Sequence, residues 1–169
     1  MGHGPRSGDG QLNEPVGVAV SGDRVFVGDW GNHRVSVYDR AGSFVRTIGS
    51  GPGAGDGQLN ILTGVAVAGE HLFVADCLND CVCVFSKDNG TFMRSIGYGE
   101  GAGEGQLDGV YDVVVSGNHM FVVESNNHRV SVFDLGGGFV RTIGSEGSDD
   151  GELDEPTGVA VAGDLVYIT

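Results

Sequence analysis

The sequence predicts an all-β protein, an incomplete β-propeller of four-stranded antiparallel blades, and three observations carry that expectation. A signature recurs as GQLN at Gly10, GQLN at Gly57, GQLD at Gly105 and GELD at Gly151, spaced 47, 48 and 46 residues apart. Each full unit holds four short runs rich in Val, Ile and Phe, and a period in the forties with four strands per unit is the sequence mark of a propeller blade. Gly and Pro supply 32 and 4 of the 169 residues, a density of chain breakers that argues against a helical bundle.

The elements follow in register. The first strand is GVAV at Gly17, Gly64 and Gly158, and DVVV at Asp112. Its alternation sends Val18 and Val20 one way and Gly17 and Ala19 the other, so one face is small. Small residues are needed where neighbouring sheets converge near an axis, which makes this the inner strand. The second strand is RVFVGD from Arg24, HLFVAD from His71, HMFVVE from His119 and LVYIT from Leu165, reached through turns such as Ser21-Gly22-Asp23. The third is NHRVSVYD from Asn32, NDCVCVFS from Asn79 and NHRVSVFD from Asn127, and the fourth is FVRTI or FMRSI from Phe44, Phe92 and Phe139. The expected organisation is a lead-in over 1–9 and repeats over 10–56, 57–104, 105–150 and, in part, 151–169.

These pieces resemble NHL repeats. The resemblance rests on Pro15 with Gly17-Val18-Ala19-Val20, on Val25 to Asp29, on Asn32-His33-Arg34-Val35 and on Asn127-His128-Arg129-Val130, and it spans residues 10–169. Repeat 2 departs, with Asp80 and Cys81 where the others carry His and Arg, and repeat 3 lacks the Pro and the first Gly. The family usually builds six blades, so the resemblance implies a TolB-like six-bladed plan of which three and a half repeats are present. Such an arc cannot close alone. Its missing blades are expected from a longer chain, of which this is a fragment, or from self-association.

Composition narrows the function. Nine Lys and Arg against 23 Asp and Glu leave a net charge of −14, a field that disfavours nucleic acid and anionic membranes. Three Cys support no disulfide framework, and neither a signal peptide nor a membrane-length apolar run occurs, so the expected setting is cytoplasmic. The glycine-rich stretches at Gly51 and Gly97 lack a following helix and a P-loop Lys, and read as turns.

Loops after the second and fourth strands share one face, which the family resemblance implies is used for binding. Candidate ligand contacts there are Asp29, Asp76 and Glu124 at the strand ends and Trp30, Tyr111 and Asp112 where the repeats disagree. Tyr111 and Asp112 displace small residues of the inner strand and are expected near the central channel. Acidic loop residues such as Asp56, Glu100, Glu104, Asp149 and Asp150 favour a basic peptide or other protein partner. Asn32, His33, Arg34, Asn127, His128 and Arg129 recur per unit and read as structural, because a fold uses a residue in every unit. Cys77, Cys81 and Cys83 read as free thiols, with a zinc site as the alternative. No cofactor and no catalytic constellation is expected, and the function read is a non-enzymatic interaction scaffold. The resemblance also implies two alternatives: a metal-dependent lyase- or hydrolase-like propeller, and the substrate- or RNA-binding propeller of a RING-type ubiquitin ligase.

Overall fold

Two-residue turns with Gly in the left-handed region, at Gly22 (φ 58°), Gly69 (φ 54°), Gly117 (φ 58°) and Gly163 (φ 60°), reverse the chain between the first two strands of each unit. In the computed structural model, which describes residues 7–169, these turns open four antiparallel sheets. The first six residues of the expected lead-in lie outside the described residues. Blade 1 is β1 (Pro15–Ser21), β2 (Arg24–Asp29), β3 (Arg34–Asp39) and β4 (Phe44–Ile48), hydrogen-bonded in chain order. Blade 2 is β5 (Leu62–Ala68), β6 (His71–Asp76), β7 (Cys81–Ser86) and β8 (Phe92–Ile96). Blade 3 is β9 (Val110–Ser116), β10 (His119–Glu124), β11 (Arg129–Asp134) and β12 (Phe139–Ile143). A two-stranded half-blade, β13 (Val159–Ala162) and β14 (Leu165–Ile168), follows. The architecture is a β-propeller whose ring is not closed.

The core lies between blades because each strand presents alternate residues to opposite neighbours. Phe26, Val35 and Val37 of blade 1 meet Leu72, Val74 and Phe85 of blade 2. The opposite face of blade 2, with Phe73, Ala75, Val82 and Val84, meets Val113, Met120, Val122 and Phe133 of blade 3. Phe121, Val123, Val130 and Val132 then pack on Val159, Val161, Val166 and Ile168. Each fully buried Phe removes enough apolar area from water to contribute about 2–3 kcal/mol.

The small face of the inner strands lets the blades converge. A Cβ on Gly17 would stand 3.0 Å from the Val65 amide nitrogen and 3.2 Å from the Gly64 Cα. At the rim, Arg46 donates from Nη2 to the carbonyl of Lys87 in the next blade, and Arg94 donates likewise to Leu135 at 2.6 Å. The two end faces carry exposed apolar residues, Val18 and Val20 on blade 1 and Leu165 and Tyr167 on the half-blade.

Candidate functional site

Each blade places one carboxylate at the end of its second strand, and antiparallel register sets it opposite the first residue of the third: Asp29 faces Arg34, Asp76 faces Cys81, and Glu124 faces Arg129. All three carboxylates are fully buried. This corrects the expectation that Asp29, Asp76 and Glu124 offer themselves to a ligand from exposed loops. A short turn follows the strand end, a 3-10 helix in blades 1 and 2 and a plain turn in blade 3, and the carboxylate is consumed by local donors that would otherwise be unpaired. Asp29 accepts from Asn32 Nδ2 at 2.8 Å, Arg34 Nε at 2.9 Å and the Asn13 amide at 2.7 Å. Glu124 accepts from Asn127 Nδ2 at 2.6 Å, Arg129 Nε at 2.9 Å and the Ser131 hydroxyl.

The arginines reach further. Arg34 donates to the carbonyls of Ser7, Gly8 and Gln11, and Arg129 to those of Ala102, Gly103 and Gln106, so each guanidinium fastens the linker that precedes its blade. His33 and Asp80 close 3-10 helices at Trp30–Asn32 and Cys77–Asn79, and His128 closes the corresponding turn of blade 3, with φ of 52°, 48° and 50°. A non-glycine residue in that region is uncommon, and Asn, Asp and His are the types that tolerate it best. The position therefore serves the backbone turn.

Sequence reasoning passed over a second recurring device, the Gln of the GQL signature. Oε1 of Gln11, Gln58 and Gln106 accepts the amide of Gly8, Gly55 and Gly103, and Glu152 does the same for Asp149. The constant three-residue offset was its available signal. The following leucines, Leu59 and Leu107, plug the inter-blade cores at zero exposure.

Blade 2 is the exception. Asp76 keeps the Asn79 Nδ2 and Asn60 amide donors, at 2.8 and 2.9 Å, but Cys81 stands where the guanidinium would be and Cys83 where the Ser hydroxyl would be. No ion pair to Asp76 occurs among the described residues. Burial, incompletely offset by these hydrogen bonds, pushes its carboxyl up to about 6. Cys83 lies 3.9 Å from both Cys81 Sγ and Asp76 Oδ2. The hydrogen bond between the thiols couples them, and it together with burial holds the Cys83 thiol well above the usual range. Cys77 is not part of this group.

The remaining candidates separate. Trp30 heads the first 3-10 turn and is partly exposed. Tyr111, 42% exposed, lines a cavity of about 460 Å³ together with Leu78, Asp80, Glu100, Asp108 and Asn126. It sits at the start of the inner strand β9, at a shift of register, and borders the turns of blades 2 and 3. Asp112 does lie at the converging strands, but both carboxylate oxygens accept backbone amides, from Val113 at 2.8 Å and from Val159 of the half-blade at 3.1 Å. It is corrected from a channel ligand to an inter-blade tie, and burial raises its pKa.

The fold and these repeated nodes define a β-propeller repeat protein. Residues 12–38 match the NHL repeat, and residues 109–130 match the LVIVD repeat. A search of curated protein sequences finds no match. Among solved structures the chain is similar to Kuenenia stuttgartiensis hydrazine synthase, with TM-score 0.67 and 20% identity over 88% of this chain and 39% of that one. The computationally designed Ika4 protein is similar with TM-score 0.67 and 19% identity, covering 99% of this chain and 92% of that one. BamB from Moraxella catarrhalis is similar with TM-score 0.62 and 11% identity, covering 89% and 39%. The chain thus spans about two fifths of the hydrazine synthase and BamB chains. At these identities the likeness concerns the fold. No helix of the described residues is long and apolar enough to cross a membrane.

Proposed function

We propose that this chain is a non-enzymatic propeller scaffold segment that binds a protein or peptide through a basic side chain. The observation that carries the reading is the cavity between the turns of blades 2 and 3, where Tyr111 and the exposed Leu78 stand beside Asp80, Glu100 and Asp108. An aromatic ring next to clustered carboxylates suits the stem and charge of Lys or Arg, which combine an apolar shaft with a cationic head. Burial first, and then the like charges of Asp108, Glu100 and Glu124, disfavour the ionised form of Asp80, and a bound cation would relieve that repulsion. Free thiols suit a reducing, cytoplasmic setting. The exposed end faces of blade 1 and the half-blade are where further blades, from a longer chain or a second copy, complete the array.

The reading is tested by fluorescence anisotropy with labelled hexapeptides of Arg, Lys and Glu, and with single-stranded RNA of the same length. Salt-sensitive binding of the basic peptides, weakened at least fivefold by Tyr111→Ala and by Glu100→Gln, is expected. Preference for RNA, or basic-peptide binding indifferent to both substitutions, overturns it.

A further inference from the structure

The three full blades amount to an internal comparison. Blades 1 and 3 bury a carboxylate and set a guanidinium on it, at 2.9 Å in both. Blade 2 buries its carboxylate equally, withdraws the cation and supplies two sulfurs in its stead. A buried carboxylate without a cation is costly, and the pairing in the sister blades marks where positive charge belongs.

The three ligand atoms, one carboxylate oxygen of Asp76 and the Sγ atoms of Cys81 and Cys83, all lie within 4.8 Å of one another. A tetrahedral cation with Zn–S bonds of about 2.3 Å separates two sulfurs by about 3.7 Å. The sulfurs are already 3.9 Å apart. They are an i, i+2 pair on one face of β7, held by backbone pairing to β6 on one side and β8 on the other, so little rearrangement is required. A cavity of about 410 Å³ opens onto Cys81 and Cys83, and Asp80 and Glu100 on its wall give a cation an acidic entry.

We propose that Asp76, Cys81 and Cys83 form a site for a thiophilic divalent cation of the zinc and cadmium kind, seated where Arg34 and Arg129 place their guanidinium groups in the neighbouring blades. Two sulfurs with one carboxylate favour such an ion over calcium or magnesium, which take oxygen ligands. Binding releases both thiol protons to solvent, with no change of oxidation state, and leaves the fourth position facing the cavity for water. The metal ligands themselves, Asp76, Cys81 and Cys83, take no part in the proposed peptide cavity, although Asp80 and Glu100 border both.

The test is titration of the reduced, purified chain with Cd²⁺, followed by the ultraviolet thiolate-to-cadmium charge-transfer band, with Zn²⁺ as competitor. One equivalent bound per chain, with a band of two-thiolate intensity that Zn²⁺ removes, is expected. Cys77→Ser leaves the band intact, the Cys81→Ser, Cys83→Ser double variant removes it, and Asp76→Asn weakens affinity at least tenfold. Cys81→Arg fills the place with a guanidinium; it keeps the fold, checked by circular dichroism, and loses binding at least a hundredfold. Absence of the band in the wild-type chain, its survival in the double-serine variant, or its loss with Cys77→Ser would overturn the proposal.

Discussion

The Arg34 guanidinium stands 2.9 Å from the Asp29 carboxylate and at the same time holds three carbonyls of the segment that enters blade 1. One side chain therefore neutralises a buried charge and closes a linker, and Arg129 repeats the arrangement on Glu124.

Truncating either arginine strands a fully buried carboxylate. Arg129→Ala is expected to destabilise the chain by about 3–5 kcal/mol, the cost of breaking a buried pair on one side. Urea unfolding followed by circular dichroism measures it. Lysine at the same site recovers only part, because an ammonium cannot reproduce the planar fork.

Blade 2 predicts the converse. Without metal, Cys81→Arg is expected to raise stability by about 1.5–3 kcal/mol, the range for hydrogen bonds to charged groups, because it supplies Asp76 with the pairing found in blades 1 and 3. Melting temperatures in the presence of a chelator decide the sign, and no gain would mean that the blade 2 linker cannot receive the guanidinium.

Close approach at the inner strands makes Gly64 intolerant of a side chain. Its Cβ would lie 2.5 Å from Asp112 Oδ1 and 2.9 Å from the Asp112 Cα, so the neighbouring backbone must move. Gly64→Ala is expected to cost about 1–3 kcal/mol by overpacking. An unchanged denaturation midpoint would show that the blades can part there without loss.

Asp112 supplies a pH signature. Burial raises its folded pKa above the ordinary carboxylate value, so the folded chain holds the proton more tightly than the unfolded one. With more protons bound in the native state, this group's contribution to stability is greatest below its unfolded pKa and falls as pH rises toward the folded pKa. Subtracting the pH dependence of an Asp112→Asn variant from that of the wild type between about pH 3 and pH 7 isolates the group. The difference is expected to decline with rising pH, and a rising difference contradicts the assignment.

Strand identity and order were legible in the sequence because alternation and glycine turns report directly on the pleat. Val18 and Val20 against Gly17 and Ala19 foretold both the inner strand and its small face. The pairing of Arg34 with Asp29 was also readable from their recurrence. What local pattern could not convey is that the partners are sealed from water. An Asp closing a strand and opening a polar turn reads as surface, and only the linker folding back over Asp29, Asp76 and Glu124 removes them from it. The thiols were ambiguous for a related reason. Spacing put Cys81 and Cys83 on one face, but their relation to Asp76 depends on the β6–β7 register. Asp112 misled because a lone acid among glycines suggests a ligand, whereas its oxygens meet the amide of the next residue, Val113, and that of Val159 on the half-blade.

Since the linkers into blades 1 and 3 are fastened by the blade that follows, through Arg34 on residues 7–11 and Arg129 on residues 102–106, the stretch that holds both halves of the latch runs from linker to fourth strand. A gene duplication or an engineered splice that copies this stretch carries its own latch with it, whereas one cut between linker and first strand would part the latch from its catch.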